Sequence, residues 1–406
     1  MKRLVALLAG CVLLLTAACG KSDDQSASSN KASSSASSNS ASSSADTSSA
    51  VSQETPSESA PNVDYSARTY ALADYADCFH VTGRTMAIQT AYANQTGLLY
   101  DHAGQGLLFT AYCEGDVSLD MVMVTSEQTG KNYQHFSVRV DGNVQDVGIG
   151  HSTDPIKTLP IATGLPRGQH TFAIYRCNEA LAGAITLLNL TMTGEVQPYQ
   201  APAGQLKMTF LGDSITAGNG VLGTKGAPDQ SENKYKDATL SYAFRCGELL
   251  DADFSIVAQS GLNFGTDTTD NNCVYSCYNV VSKARNPRVP YDNTADADQV
   301  DVYVISLGTN VKSSWTVEDI TGYVTKLVEQ VRVDHPSAKI VWTYGQLAQS
   351  KDKLYAKIIA DLGGASANLY YYCYEQADLS GSNSHPNAEA HERDAQELAD
   401  FIRSIL

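Results

Sequence analysis

Basic residues are scarce in this chain. Its 406 residues carry 28 Lys and Arg against 44 Asp and Glu, a formal net charge of −16. A surface that negative repels phosphate backbones and anionic headgroups, which argues against nucleic acid or an anionic lipid surface as the partner. Large apolar side chains are nearly absent from residues 21–62, a Ser/Ala-rich run. Such a segment cannot bury enough surface to fold, so it reads as a flexible tether. Zinc-type spacing is missing as well: Cys273 and Cys277 are not placed as in a zinc ribbon and have no histidine cluster beside them, so no metal is expected. With Cys11 and Cys19 set aside, seven cysteines remain, an odd number that cannot all pair internally. The Cys273/Cys277 pair reads either as a short-loop disulfide or as two small buried side chains.

What is present begins at the N-terminus. Lys2 and Arg3 precede an apolar run that ends in small residues before Cys19. That is the pattern of a secretory signal, too short for a stop-transfer helix. Thr16, Ala17 and Ala18 before the cysteine, with glycine after it, resemble the bacterial lipobox. The resemblance implies that Cys19 is lipidated; an ordinary signal and a freely secreted protein is the alternative. The expected layout is a signal over 1–18 and a tether over 19–62, holding an exported, membrane-anchored protein that faces outside.

From 63 to 197 the texture is β. Phe136, Val138 and Val140 alternate with polar residues up to Asp141-Gly142, a strong hairpin signal. Alternation returns at Phe172 and Ile174, and again at Leu188, Leu190 and Met192. Several short strands without a convincing long helix predict an all-β sandwich of jelly-roll type. Such a domain could bind sugar or serve as a scaffold.

From 203 to 406 short apolar strands alternate with helical patterns. Strands are predicted over 206–213, 254–261, 301–308, 338–345 and 369–374, and helices over 238–252, 317–334 and 388–406. Near-continuous apolar strands separated by helices mean a parallel sheet covered on both faces, a flavodoxin-like α/β/α domain. Ligands in such sheets sit at the carboxyl ends of the strands.

Those ends deliver Gly212-Asp213-Ser214, Ser260-Gly261 and Gly308-Thr309-Asn310, and His385 precedes the last helix. "GDSITAG", "SGLNFG", "LGTN" and "HPN" resemble, in order, the four blocks of the SGNH (GDSL-type) hydrolases. "GRT" at 83–85, "VRVDG" and "GLPRGQHTFAIYR" extend the resemblance to the two-domain family-2 carbohydrate esterases, from about residue 65 to the end. The Gly-x-Ser-x-Gly elbow of a competing hydrolase fold is absent. The resemblance implies a jelly roll joined to an SGNH domain and an esterase that removes acetate from acetylated polysaccharide or oligosaccharide of the xylan or mannan type.

The chemistry is arguable from the residues. Ser214, at a tight strand-to-helix turn, offers a nucleophilic hydroxyl and its own N–H near a helix start. Gly261 leaves its N–H unobstructed, and the Asn310 amide is the expected third oxyanion donor. His385 is the expected base and later acid. Asp213 is expected to bond nearby backbone. No metal or organic cofactor is required.

Two departures stand out. The SGNH hydrolases usually have an aspartate three residues before the histidine, where this chain has Ser382. A backbone carbonyl can accept the Nδ1 proton, and the resemblance to the family-2 esterases, which often work as Ser–His dyads with carbonyls replacing the acid, implies a dyad with main-chain oxygens around Ser382–Ser384 orienting His385; Asp378 and Glu389 are the substitutes. Val311 replaces a common aspartate after Asn310. For a sugar platform the candidates are Phe264, Trp342 and Trp315. The rival readings are a glycan-binding lipoprotein with a decayed catalytic domain, and an esterase acting on envelope polymer or lipid.

Overall fold

The computed structural model describes residues 62–124, 134–149, 154–227, 233–284, 288–295 and 299–406. The expected signal, the Cys19 lipidation site and nearly all of the tether lie outside the described residues. Among the described residues no helix is long and apolar enough to cross a membrane.

The first part is a nine-stranded sheet: β1 (Ala67–Ala71), β2 (His80–Val81), β3 (Ala87–Gln89), β4 (Thr96–Leu99), β5 (Gly106–Val124), β6 (Gln134–Val140), β7 (Asn143–Ile149), β8 (Ile156–Arg176) and β9 (Ala184–Gln197). All its pairings are antiparallel. The Asp141-Gly142 hairpin forms, both residues at positive φ (51° and 79°), as a type I′ turn requires. The period-two pattern sends Phe136, Val138, Phe172, Ile174, Leu190 and Met192 into one core cluster. The strands are not short, however: β5 runs 19 residues and β8 runs 21. Register shifts around Gly115 and Val117 absorb breaks in the alternation. A bulge of this kind bends a strand without ending it, so one strand reads in sequence as several.

The second part is a five-stranded parallel sheet of β10 (Lys207–Gly212), β11 (Asp253–Ala258), β14 (Val302–Ser306), β15 (Lys339–Tyr344) and β16 (Leu369–Cys373). The small hairpin β12 (Val280–Ser282) and β13 (Val289–Pro290) stands apart from it. The order β11-β10-β14-β15-β16 is the doubly wound 2-1-3-4-5 order. Helices α1 (Tyr242–Leu249), α2 (Tyr275–Tyr278), α3 (Val317–Asp334), α4 (Asp352–Asp361) and α5 (Ala388–Ile405) accompany it. Apolar residues of α3 and α4 pack in one cluster with one face of the sheet, those of α1 and α5 in another. α3 matches its predicted span because Thr316 and Asp319 form a reciprocal capping box. The helix α4 was not predicted. Cys273 and Cys277 are separate buried thiols.

Residues from Pro61 onward form one compact unit. Polar contacts sew its two sheets together. Arg84 donates to the carbonyls of Cys277, Tyr278 and Val280 and to Asn293 Oδ1, the last at 2.7 Å. His102 Nε2 meets the Val281 carbonyl at 2.9 Å, and Arg139 pairs with Glu248.

Candidate active site

The interior strand β10 ends at Gly212 and the chain turns at Asp213-Ser214. No helix follows: residues 214–222 are a run of turns, held by Ala217 N–H to Asp213 O (3.1 Å) and Asn219 N–H to Ser214 O (2.9 Å). Ser214 is therefore neither a helix cap nor at a helix start, and a macrodipole does not contribute to its N–H. The reason is local. Gly218-Asn219-Gly220 follows within a turn of the serine, and Gly218 and Gly220 take positive φ, which a helix cannot accommodate.

His385 reaches Ser214 from the far end of the chain. Its Nε2 lies 2.7 Å from Ser214 Oγ, and its Nδ1 lies 2.7 Å from the Asn383 carbonyl. A carbonyl only accepts, so the ring proton sits on Nδ1 and Nε2 presents its lone pair to the serine hydroxyl. Burial pushes the imidazole below its ordinary 6.5, opposed by the Asn383 hydrogen bond. The neutral, accepting form is thus the resident state near neutrality.

The loop that places His385 is built for that geometry. Asn383 and Ser384 both sit at positive φ, 54° and 55°. Two successive left-handed residues fold the Asn383 carbonyl back under the ring. Ser382 N–H donates to Gly220 O (3.1 Å) and Gly381 N–H to His385 O (2.8 Å). Gly220, at φ +81°, is the contact point: a Cβ there would lie 2.3 Å from Ser382 O. Beyond the histidine, Asn387 caps α5 by accepting from Ala390 N–H at 2.9 Å. Neither alternative acid touches the ring. Asp378 bonds Ser380 N–H at 2.8 Å, and Glu389 is exposed.

Among the described residues, the N–H groups of Ser214 and Gly261 have no acceptor. Gly261 holds φ +84°, and a Cβ would meet the Asn272 side chain at 3.2 Å. The Asn310 amide differs from expectation. Its Nδ2 donates to Asp213 Oδ2 (3.2 Å) and Leu262 O (3.0 Å), so both its protons are taken. It braces three loops and is not a free third donor, because the buried Asp213 carboxyl needs a partner. Burial pushes that carboxyl up to about 7, against the pull of the Ile215 N–H at 3.1 Å.

Two of the three aromatic candidates are core. Phe264 and Trp342 are fully buried in one cluster, their rings 5.7 Å apart. Phe264, just after the Ser260-Gly261 block, and Trp342, within β15, pack in the cluster that apolar residues of α3 and α4 complete. Trp315 is half-buried and tilted against Phe264 at 5.4 Å.

Sequence reasoning missed several groups. Asn219 Nδ2 donates to Ser260 Oγ at 3.1 Å and ties the nucleophile turn to the Gly261 turn. Glu179, from the loop between β8 and β9, accepts from Ser260 N–H and Oγ, each at 2.6 Å, and pairs with Lys236 at 2.7 Å. No local signal marks a residue whose partners lie so far along the chain; Asn219, next to the Ser214 block, was the findable one. A cavity of about 220 Å³ is lined by Ala180, Leu181, Gln259, Asn272 and Lys283. The buried Gln259 Oε1 has no donor. Away from the cleft, donor atoms of His135, Asp146 and Cys177 gather within 4.8 Å. His135 is committed to Asp146 (3.0 Å) and the Lys236 carbonyl (2.5 Å), and burial holds the Cys177 thiol protonated, so this trio is a poor metal site.

No family model matches the chain. Over 364 residues it is 24% identical to an acetylxylan esterase / glucomannan deacetylase of Cellvibrio japonicus, covering 87% of this chain and 91% of that protein. Among solved structures it is similar to an acetyl xylan esterase from the rumen bacterium Butyrivibrio proteoclasticus, with a TM-score of 0.70 at 19% identity over 84% of this chain and 98% of that one. A family two carbohydrate esterase from Clostridium thermocellum, in complex with cellohexaose, gives 0.69 at 20% identity over 80% and 98%. The chain shares the fold of these esterases.

Proposed function

We propose that this protein is a carbohydrate acetyl esterase that hydrolyses O-acetyl groups on polysaccharide or oligosaccharide of the xylan or mannan type, through a Ser214–His385 dyad. The single observation that carries the reading is the Ser214 Oγ to His385 Nε2 contact at 2.7 Å, with Nδ1 held by a main-chain carbonyl.

In the proposed reaction Ser214 Oγ attacks the acetyl carbonyl carbon while its proton passes to Nε2. The carbonyl oxygen, now negative, takes the N–H groups of Ser214 and Gly261, which have no competing acceptor to give up. His385 returns the proton to the sugar oxygen as the C–O bond breaks, leaving an acetyl ester on Ser214. Water then attacks that ester by the same route, giving acetate and the free serine. The Asn383 carbonyl stands in for the aspartate of a full triad by fixing the tautomer; the imidazolium it accompanies is held by a dipole where a triad has a charge.

The C. japonicus relative's name supports the acetylated-glycan class. The intact Ser–His hydrogen bond favours turnover over a purely glycan-binding role. We read the antiparallel sheet, residues 63–197, as a jelly-roll sandwich joined to an SGNH hydrolase domain at 203–406. We further propose that the protein works outside the cell membrane, anchored through a lipid on Cys19 and a Ser-rich tether. The sequence pattern around Cys19 supports this, and loss of lipid labelling in Cys19→Ser tests it.

Nitrophenyl acetate hydrolysis and acetate release from acetylated xylan and glucomannan test the activity. Ser214→Ala is expected to remove both by about 10⁴-fold or more. Turnover that survives this substitution eliminates the dyad.

A further inference from the structure

We propose that Glu179, delivered from the antiparallel sheet, is a positioning residue for the reaction: paired with Lys236, it fixes the Ser260–Gly261 turn and balances the charge that His385 experiences. This rests on the esterase reading above.

Glu179 is fully buried, and every partner of its carboxylate lies in the parallel-sheet part of the chain. Oε1 takes Lys236 Nζ at 2.7 Å and Ser260 Oγ at 2.6 Å; Oε2 takes Ser260 N–H at 2.6 Å. Its own carbonyl is held by Arg176 Nη2 at 3.1 Å and by Ala182 N–H at 2.9 Å, so the carboxylate projects from a rigid base. Charge-assisted bonds of this length immobilise Ser260 at both its N–H and its hydroxyl. The oxyanion donor of Gly261 belongs to the peptide unit that Ser260 begins. Fixing Ser260 therefore aims the Gly261 N–H, and Asn219 relays the constraint to the nucleophile turn.

Stability does not account for such a pair. A buried ion pair is expensive, and apolar residues of equal volume usually do as well. A lone carboxylate beside Gly261 would also oppose the charge growing on the oxyanion; the Lys236 ammonium cancels it. The same two charges act on His385 in opposite directions, Lys236 lowering and Glu179 raising its proton affinity. The other titratable neighbours are His391 on α5, pushed down to about 3 by burial and so uncharged, and the buried Asp213 beside Ser214.

The test uses the full chain with nitrophenyl acetate, reading kcat, KM and the pH profile, with thermal melting to confirm folding. Glu179→Gln is expected to lower kcat about tenfold to hundredfold with KM within about threefold, because a loosened donor loses part of an interaction worth about 10²–10³ in kcat. Its acidic limb moves to lower pH by roughly half a unit to one unit, since Lys236 is left unbalanced. Lys236→Met moves that limb to higher pH. The double variant Glu179→Met/Lys236→Met returns the limb to its original place but keeps the low kcat, because the Ser260 N–H has lost its acceptor. If a single variant does not fold, the double variant decides alone. A wild-type kcat in any folded variant lacking Glu179, or limbs that move the same way in both single variants, overturns the proposal. Absence of any Ser214-dependent turnover in the unmodified protein would instead bring down the esterase reading and this inference together.

Discussion

His385 donates its Nδ1 proton to the carbonyl of Asn383, two positions earlier in the chain, at 2.7 Å. An acid is thereby made unnecessary for choosing the tautomer, and the serine at position 382 ceases to be a defect. A main-chain acceptor also cannot titrate.

The pH profile follows from that arrangement. His385 must be neutral to accept the Ser214 proton, and burial holds its pKa below 6.5. As pH rises through that value, kcat/KM is expected to climb and then level, with the midpoint below 6.5. An acidic limb centred above 7 would contradict it.

Asn383 should tolerate glycine and reject β-branched residues. Its φ of 54° is costly for a β-branched side chain and free for glycine. Asn383→Gly is expected to retain kcat within about threefold, whereas Asn383→Val loses about tenfold and about 1–2 kcal/mol of stability. Steady-state kinetics and denaturant melts of the two variants check this; equal behaviour would mean that the carbonyl's placement does not depend on the left-handed turn.

Gly220 carries the histidine loop. A methyl there would lie 2.3 Å from Ser382 O and 3.0 Å from His385 Cβ, on backbone that cannot give way cheaply. Gly220→Ala is expected to reduce kcat about 10²-fold by moving the imidazole, with little effect on KM, since a displacement of about 1 Å costs that much. A crystal structure of the variant with an unmoved His385 would refute the explanation.

Asn310 separates a brace from a donor. If its amide mainly holds Asp213 and Leu262, Asn310→Ala strands a buried carboxyl and a carbonyl and costs about 1–3 kcal/mol of stability along with activity. A group serving only the oxyanion would lower kcat and leave the melting temperature alone. Measuring both on one preparation decides between them.

Much of this molecule was legible in one dimension. The pairing of Ser214 with His385, 171 positions apart, was expected from the four-block resemblance, whereas the turn at Asp141-Gly142, the five parallel strands and the ends of α3 follow from alternation and capping residues. These are local signals, because backbone conformation is governed by neighbours within a few residues. The run of turns after Ser214 was misread as a helix start, although Gly218 and Gly220 were there to be weighed.

Four other matters were settled only by the folded chain. Phe264 and Trp342 went to the core, since exposure depends on what α3 and α4 cover. Asn310 spent its protons on Asp213 and Leu262, since hydrogen bonds are allotted by proximity among loops distant in sequence. Glu179 came to lie against Ser260, 81 positions further along the chain. β5 and β8 ran on through their bulges. In each case the deciding energy is a contact between segments that no local pattern records, whereas the sequence alone had already set which elements would be there to meet.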